Sequence, residues 1–149
     1  MNSNDYRTTV QIDAPPKEVY DAITRVRDWW PGQFAGATDR IGETFTYKYR
    51  ELHSSTQRVA EQIPGERLVW DVTASQLNFL NDKSEWDGTR IIFDLRQKAN
   101  GTELSFAHRG LTPELECYGA CASSWETLVT QSLKNLVERG EGMTDWDFQ

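Results

Sequence analysis

Between Ala122 and Arg139 the apolar residues Trp125, Leu128, Val129, Leu133, Leu136 and Val137 recur at steps of three and four. That spacing puts one buried stripe on a helix. Glu126 in the first turn, Lys134 and Arg139 toward the end, and Gly140 just beyond agree with the charge and cap preferences of helix termini. At 1.5 Å per residue the helix is a rod of about 27 Å, and it needs a sheet to lie on.

Ahead of it the period is two almost everywhere. Tyr6–Asp13 sets Val10 and Ile12 against polar neighbours, and Glu43–Leu52 sets out Phe45, Tyr47 and Tyr49. Thr56–Ile63 places Val59, Glu61 and Ile63 on one side, and Arg67–Ala74 aligns Leu68, Trp70 and Val72. Thr89–Lys98 aligns Ile91, Phe93 and Leu95, while Thr102–Gly110 aligns Leu104, Phe106 and His108. These six segments read as strands, with Pro64-Gly65 and Asn100-Gly101 as turns between neighbours. Asp13-Ala14-Pro15-Pro16 stops the first strand, and Val19, Ile23 and Val26 then define a short helix ending near Asp28.

Two stretches escape either period. Trp29 to Gly42 reads as a loop, and two adjacent Trp cannot both enter one core from a regular helix, so at least one is expected at a rim or lining a cavity. Ser75 to Gly88 carries Leu77, Phe79, Leu80 and Trp86, too much apolar surface to stand in water, so it is expected to fold down. An antiparallel sheet with one covered face and a single long helix to cover it gives an α+β fold. The expectation is a curved six-stranded antiparallel sheet around the C-terminal helix, with short helices after the first strand. It is taken as one domain over residues 1–149, with a core of about 6–142.

Charge narrows the partners. A net charge of −7 and a pI near 4.8, with no local Lys/Arg cluster, argue against nucleic acid or an anionic membrane surface. The polar start MNSNDYRTTV and the lack of eighteen consecutive apolar residues point to a cytoplasmic chain. Cys117 and Cys121, four apart, are read as two free thiols at the helix start. With only His53 and His108 beside them, no metal site is expected, and no cofactor. Nucleophile and nucleotide motifs are missing.

Two groups remain for proton transfer. His108, in step with Leu104 and Phe106, points toward the helix and titrates near neutrality. Glu61, in step with Val59, would be a carboxylate in apolar surroundings if that face is the inner one; one residue of slip would put it in solvent. The richer signal is aromatic. Trp30, Phe34, Tyr47, Tyr49, Trp70, Phe79, Trp86, Phe93, Phe106 and Trp125, with His108 among them, could line an apolar pocket between sheet and helix. They could equally form a plain aromatic core.

The segments APPKEVYDAIT, WWP, GETFTYKY, RVAEQIPGERLVW, NGTELSFAHRGL and SSWETLVTQSLKNLVERGEG resemble the START-like (SRPBCC) ligand-binding superfamily. The branch is the one named after the C-terminal domain of the activator of Hsp90 ATPase. FLNDKSEWDGTRIIF, FAHRGLTPELECYGAC and SLKNLVERGEG are similar to motifs of a bacterial subgroup of it, and the resemblance spans about residues 6–142. It implies a helix-grip fold with a cavity for apolar or aromatic small molecules, and it implies no single reaction. Three roles follow: a small-molecule binder acting as monomer or homodimer, a cyclase or hydrolase using His108 and Glu61, or a module that contacts a chaperone.

Overall fold

In the computed structural model, which describes residues 4–144, the six period-two segments and one further segment form seven strands. They are β1 (Tyr6–Ile12), β2 (Gln33–Gly36), β3 (Thr44–Tyr49), β4 (His53–Ile63), β5 (Arg67–Leu77), β6 (Arg90–Lys98) and β7 (Gly101–Arg109). All pair antiparallel in one sheet of order β1-β7-β6-β5-β4-β3-β2. Residues 1–3 and 145–149, which the expected 1–149 domain and the reading of the N-terminus included, lie outside the described residues.

The sheet has seven strands rather than six because β2 forms inside the predicted loop. Its four residues show no alternation, and its pairing with β3, Phe34 opposite Tyr47, is what makes it a strand. Gly36 permits the pairing: its φ is +100°, and a Cβ there would lie 2.4 Å from the Thr44 carbonyl oxygen. The β6–β7 hairpin also differs by one residue. Lys98 pairs with Gly101, so Ala99 and Asn100 form the loop.

Between β1 and β2 lie α1 (Pro16–Thr24) and a single 3₁₀ turn, Val26–Asp28. Pro16 opens α1, where a missing N–H costs nothing, and Val19, Tyr20, Ala22 and Ile23 are its buried face. The long C-terminal rod starts earlier than the apolar stripe suggests. It comprises α2 (Tyr118–Thr127), a π-helical turn (Leu128–Leu133) and α3 (Lys134–Arg139), and Gly140 closes it at φ +80°. Trp125, Leu128, Val129, Leu133 and Leu136 are buried as the stripe predicts, and Ser132 joins them. Ser132 Oγ donates to the Trp29 carbonyl and accepts from the Met143 N–H, tying the rod to the segment after α1.

The inner face carries Phe45, Tyr47, Trp70, Val72, Ile91, Phe93, Leu104 and Phe106, all buried against the rod. The outer face carries charge instead. Arg67 bridges Asp94 at 2.7 Å and Glu61 at 2.9 Å, and Arg90 meets Asp71 at 2.7 Å. Among the described residues no helix is long and apolar enough to cross a membrane.

Candidate functional site

A cavity of about 220 Å³ opens between the rod and the β3–β4 end of the sheet. Six residues of the predicted aromatic set line it: Trp30, Tyr47, Tyr49, Phe79, Trp86 and Trp125. The other lining residues are Leu52, His53, Ala120, Cys121, Ser124 and Leu128. Leu52 and Phe79 are large apolar side chains left exposed, which places them at the mouth.

Local structure explains how these side chains converge. Trp29 leaves the 3₁₀ turn with φ −135°, so two adjacent Trp enter the interior in different directions. Trp29 packs into the core and donates to the Ile23 carbonyl, while Trp30 turns to the cavity wall, 4.7 Å from Tyr47 and 5.4 Å from Trp125 between ring centroids. The tight β3–β4 turn, with Arg50 at φ +50°, presents Leu52 and His53. The stretch from Ser75 to Gly88 folds down as expected: Leu77, Leu80 and Trp86 are buried, and of its large apolar side chains Phe79 stays exposed.

Phe34, Trp70, Phe93, Phe106 and His108 do not line the cavity; the last four are core beneath it. Trp70 and Phe106 each lie against a wall residue, Trp30 at 6.2 Å and Trp125 at 4.6 Å, so they support the wall without forming it.

His108 is fully buried and both ring nitrogens are engaged. The Trp125 indole N–H donates to Nδ1 at 3.0 Å, so the proton sits on Nε2, which donates to Thr89 Oγ1 at 2.8 Å. Thr89 in turn donates to the Trp86 carbonyl at 2.6 Å. Burial pushes the imidazole down to about 3, so it stays neutral. Its role is to lock Trp125 and Trp86, two walls of the cavity.

Glu61 is on the outer face. A bulge between Val59 and Glu61 shifts the register, so Val59 opposes Trp70 and Glu61 opposes Val69, which reverses its side. It is half-buried and pairs with Arg67. His108 and Glu61 stand on β7 and β4, three strands and roughly 14 Å apart, so the structure does not bring them to one point.

His53 is the histidine of the wall. Its ring stands edge-on to Trp86 at 4.7 Å, and Nε2 lies 3.0 Å from Ser55 Oγ. Burial pushes it down to about 4. The reading that began this strand at Thr56 missed it, although His53, Ser55 and Gln57 share the parity of the inward Val59. Cys121 also reaches the wall, and the hydrogen bond with Cys117 and burial raise its thiol pKa, so it is no nucleophile at neutral pH. Among the described residues no three metal-ligating side chains converge.

The 78–88 segment is clasped to the rod's start by two carboxylates. Glu85 accepts from the Glu116 and Cys117 N–H groups at 2.8 and 3.0 Å, and Glu116 accepts from the Asn81 N–H and side-chain amide at 3.0 and 3.1 Å.

Comparison with solved structures places this architecture. The Aha1 dimer of Colwellia psychrerythraea superposes with a TM-score of 0.76 at 24% identity, over 93% of this chain and 98% of that one. Protein MLL2253 of Mesorhizobium loti gives 0.73 at 19%, over 92% and 98%. DynU16, attributed to the dynemicin biosynthetic locus, gives 0.72 at 18%, over 98% of this chain and 52% of that longer one. At these identities the likeness establishes the fold. A search of curated proteins by sequence found no match. The family model for activator of Hsp90 ATPase homolog 1-like proteins matches residues 13–138, most of the described chain, and the protein therefore belongs to that family.

Proposed function

We propose that the protein binds a small aromatic or apolar molecule in the cavity between β3–β4 and the C-terminal rod. The observation that carries this is the wall itself: Trp30, Tyr47, Tyr49, Trp86 and Trp125 around an open volume of about 220 Å³. A void of about 150 Å³ with apolar walls already accepts a benzene ring, so this one has room for about two fused rings. Concave, mostly aromatic sites with few polar groups are the usual form of small-molecule sites. The cyclase or hydrolase reading needs proton-moving groups at the same point, and His108 and Glu61 do not supply them.

Naphthalene is the test ligand, followed by quenching of tryptophan fluorescence, since three indoles line the wall. Saturable quenching is expected with Kd on the order of 1–100 µM, about −5 to −8 kcal/mol. Ser124→Phe, which fills the cavity from the rod, should abolish it. Absence of saturable quenching in the unaltered protein would sink the proposal.

A further inference from the structure

On β7 the apolar inward face is broken at Thr102 and His108, and each of these side chains is hydrogen-bonded within the chain. On β4 three successive inward positions, His53, Ser55 and Gln57, are polar before Val59 resumes the apolar pattern. Their cross-strand neighbours on β3 are Tyr49, Tyr47 and Phe45. A polar ladder therefore runs from the cavity wall into the aromatic core.

Gln57 ends that ladder. It is fully buried, and neither its amide nitrogen nor its amide oxygen meets a partner among the described residues. Burying an unmet amide is costly, and buried side-chain amides are hydrogen-bonded in the great majority of proteins. The indole N–H of Trp30 is likewise buried and unmet, and Trp30 is itself a cavity wall. Its ring reaches from Tyr47 on β3, at 4.7 Å, to Trp70 on β5, at 6.2 Å, and so spans β4 where Ser55 and Gln57 face inward. The indole N–H of Trp86, a second wall residue, is buried and unmet as well, so two donors on the wall and one donor–acceptor pair behind it are left for a group that the chain does not supply.

Charge decides what that group is. His53 is held neutral and offers a hydrogen bond without a charge. Among the described residues no Lys or Arg side chain lines the cavity, so a carboxylate or phosphate would be desolvated there with nothing to offset it.

Resting on the binding role proposed above, we infer that the natural occupant is a planar aromatic molecule with an uncharged hydroxyl or keto substituent. Its rings lie among Trp30, Tyr47 and Trp86. Its polar group is held at the wall by His53 and the Trp30 N–H, with the Gln57 amide behind that wall. The hydroxyl or keto group supplies orientation and selectivity, and the rings supply most of the affinity.

The test compares three probes of similar shape, naphthalene, 2-naphthol and 2-naphthoate, at pH 7 by tryptophan quenching. The ladder predicts 2-naphthol binding at least tenfold tighter than naphthalene, and 2-naphthoate weaker than 2-naphthol. Gln57→Leu and, independently, His53→Phe should each reduce the ratio of 2-naphthol to naphthalene affinity severalfold. Equal binding of naphthalene and 2-naphthol would overturn the inference and leave the cavity's binding role standing. So would a 2-naphthol preference that survives both substitutions, since Gln57 would then be a side chain merely packed under Trp30. Failure of all three probes to bind would overturn the binding role itself.

Discussion

The fate of the two histidines shows what a single residue's surroundings decide. His108 is in step with the core, and the structure closes it with Trp125 on one nitrogen and Thr89 on the other. Trp125→Phe keeps most of the ring packing but leaves Nδ1 of His108 buried and unmet, which should cost about 1–3 kcal/mol. Trp125→Ala adds a void next to the cavity and should cost about 3–5 kcal/mol; urea denaturation that ranks the two the other way would refute this. Acid gives an independent check. Both histidines titrate in the fold far below the ordinary value near 6.5, His53 at about 4 and His108 at about 3. From pH 6.5 down to about 4 the unfolded chain therefore binds protons that the folded chain refuses, and stability falls as pH falls, by about 1.4 kcal/mol per unit for each histidine. Above pH 6.5 they contribute no slope. In His53→Phe the acid slope should drop by the share of one histidine. Denaturation midpoints that stay level from pH 7 to 4.5 would mean that the fold admits the proton.

At the level of elements, the parts with a clear period were legible and those set by partners were not. The terminal stripe and the alternation of β3, β5, β6 and β7 place nearly every core residue, because burial of one face is what creates such patterns. The short edge strand β2 owes its existence to β3, and the bulge that turns Glu61 outward arises from pairing between β4 and β5, so neither leaves a periodic trace. Of the eleven residues that the sequence nominates for the cavity, six line it; the choice between wall and underlying core depends on which ring the 3₁₀ turn and the rod push aside. The carboxylate clasp was equally invisible, since Glu85 and Glu116 meet only once the 78–88 segment is folded onto α2. Glu85 serves the free N–H groups at the start of the rod, where a negative charge is favoured. Glu85→Ala should cost about 1–2 kcal/mol, as loss of a helix cap does, and should speed amide hydrogen exchange in residues 78–88 and 116–121. Exchange that accelerates evenly over the whole chain would show instead that the clasp is not a local device.

For the whole molecule, the cavity and the core are one aromatic system. Trp30 and Trp125 belong to the wall on one side and touch Trp70 and Phe106 of the core on the other, while Trp86 stacks on Trp125 with rings 10° from parallel. A ligand that fills the wall therefore packs against the same rings that hold sheet and rod together, and it binds the folded state alone. At a free concentration of a hundred times Kd such a ligand adds about 2.7 kcal/mol. A chain of 149 residues responds with roughly 2–4 °C per kcal/mol. Saturating 2-naphthol should thus raise Tm by about 5–10 °C, and naphthalene at the same concentration by less, because less of its Kd is exceeded. Ser124→Phe should show no ligand shift, and its Tm without ligand should equal or exceed that of the unaltered protein if the new ring fills the space between Trp86 and Leu128 without strain. Should quenching saturate while Tm stays put, the probe would be resting on the exposed Leu52 and Phe79 at the mouth, where it gains nothing from the fold.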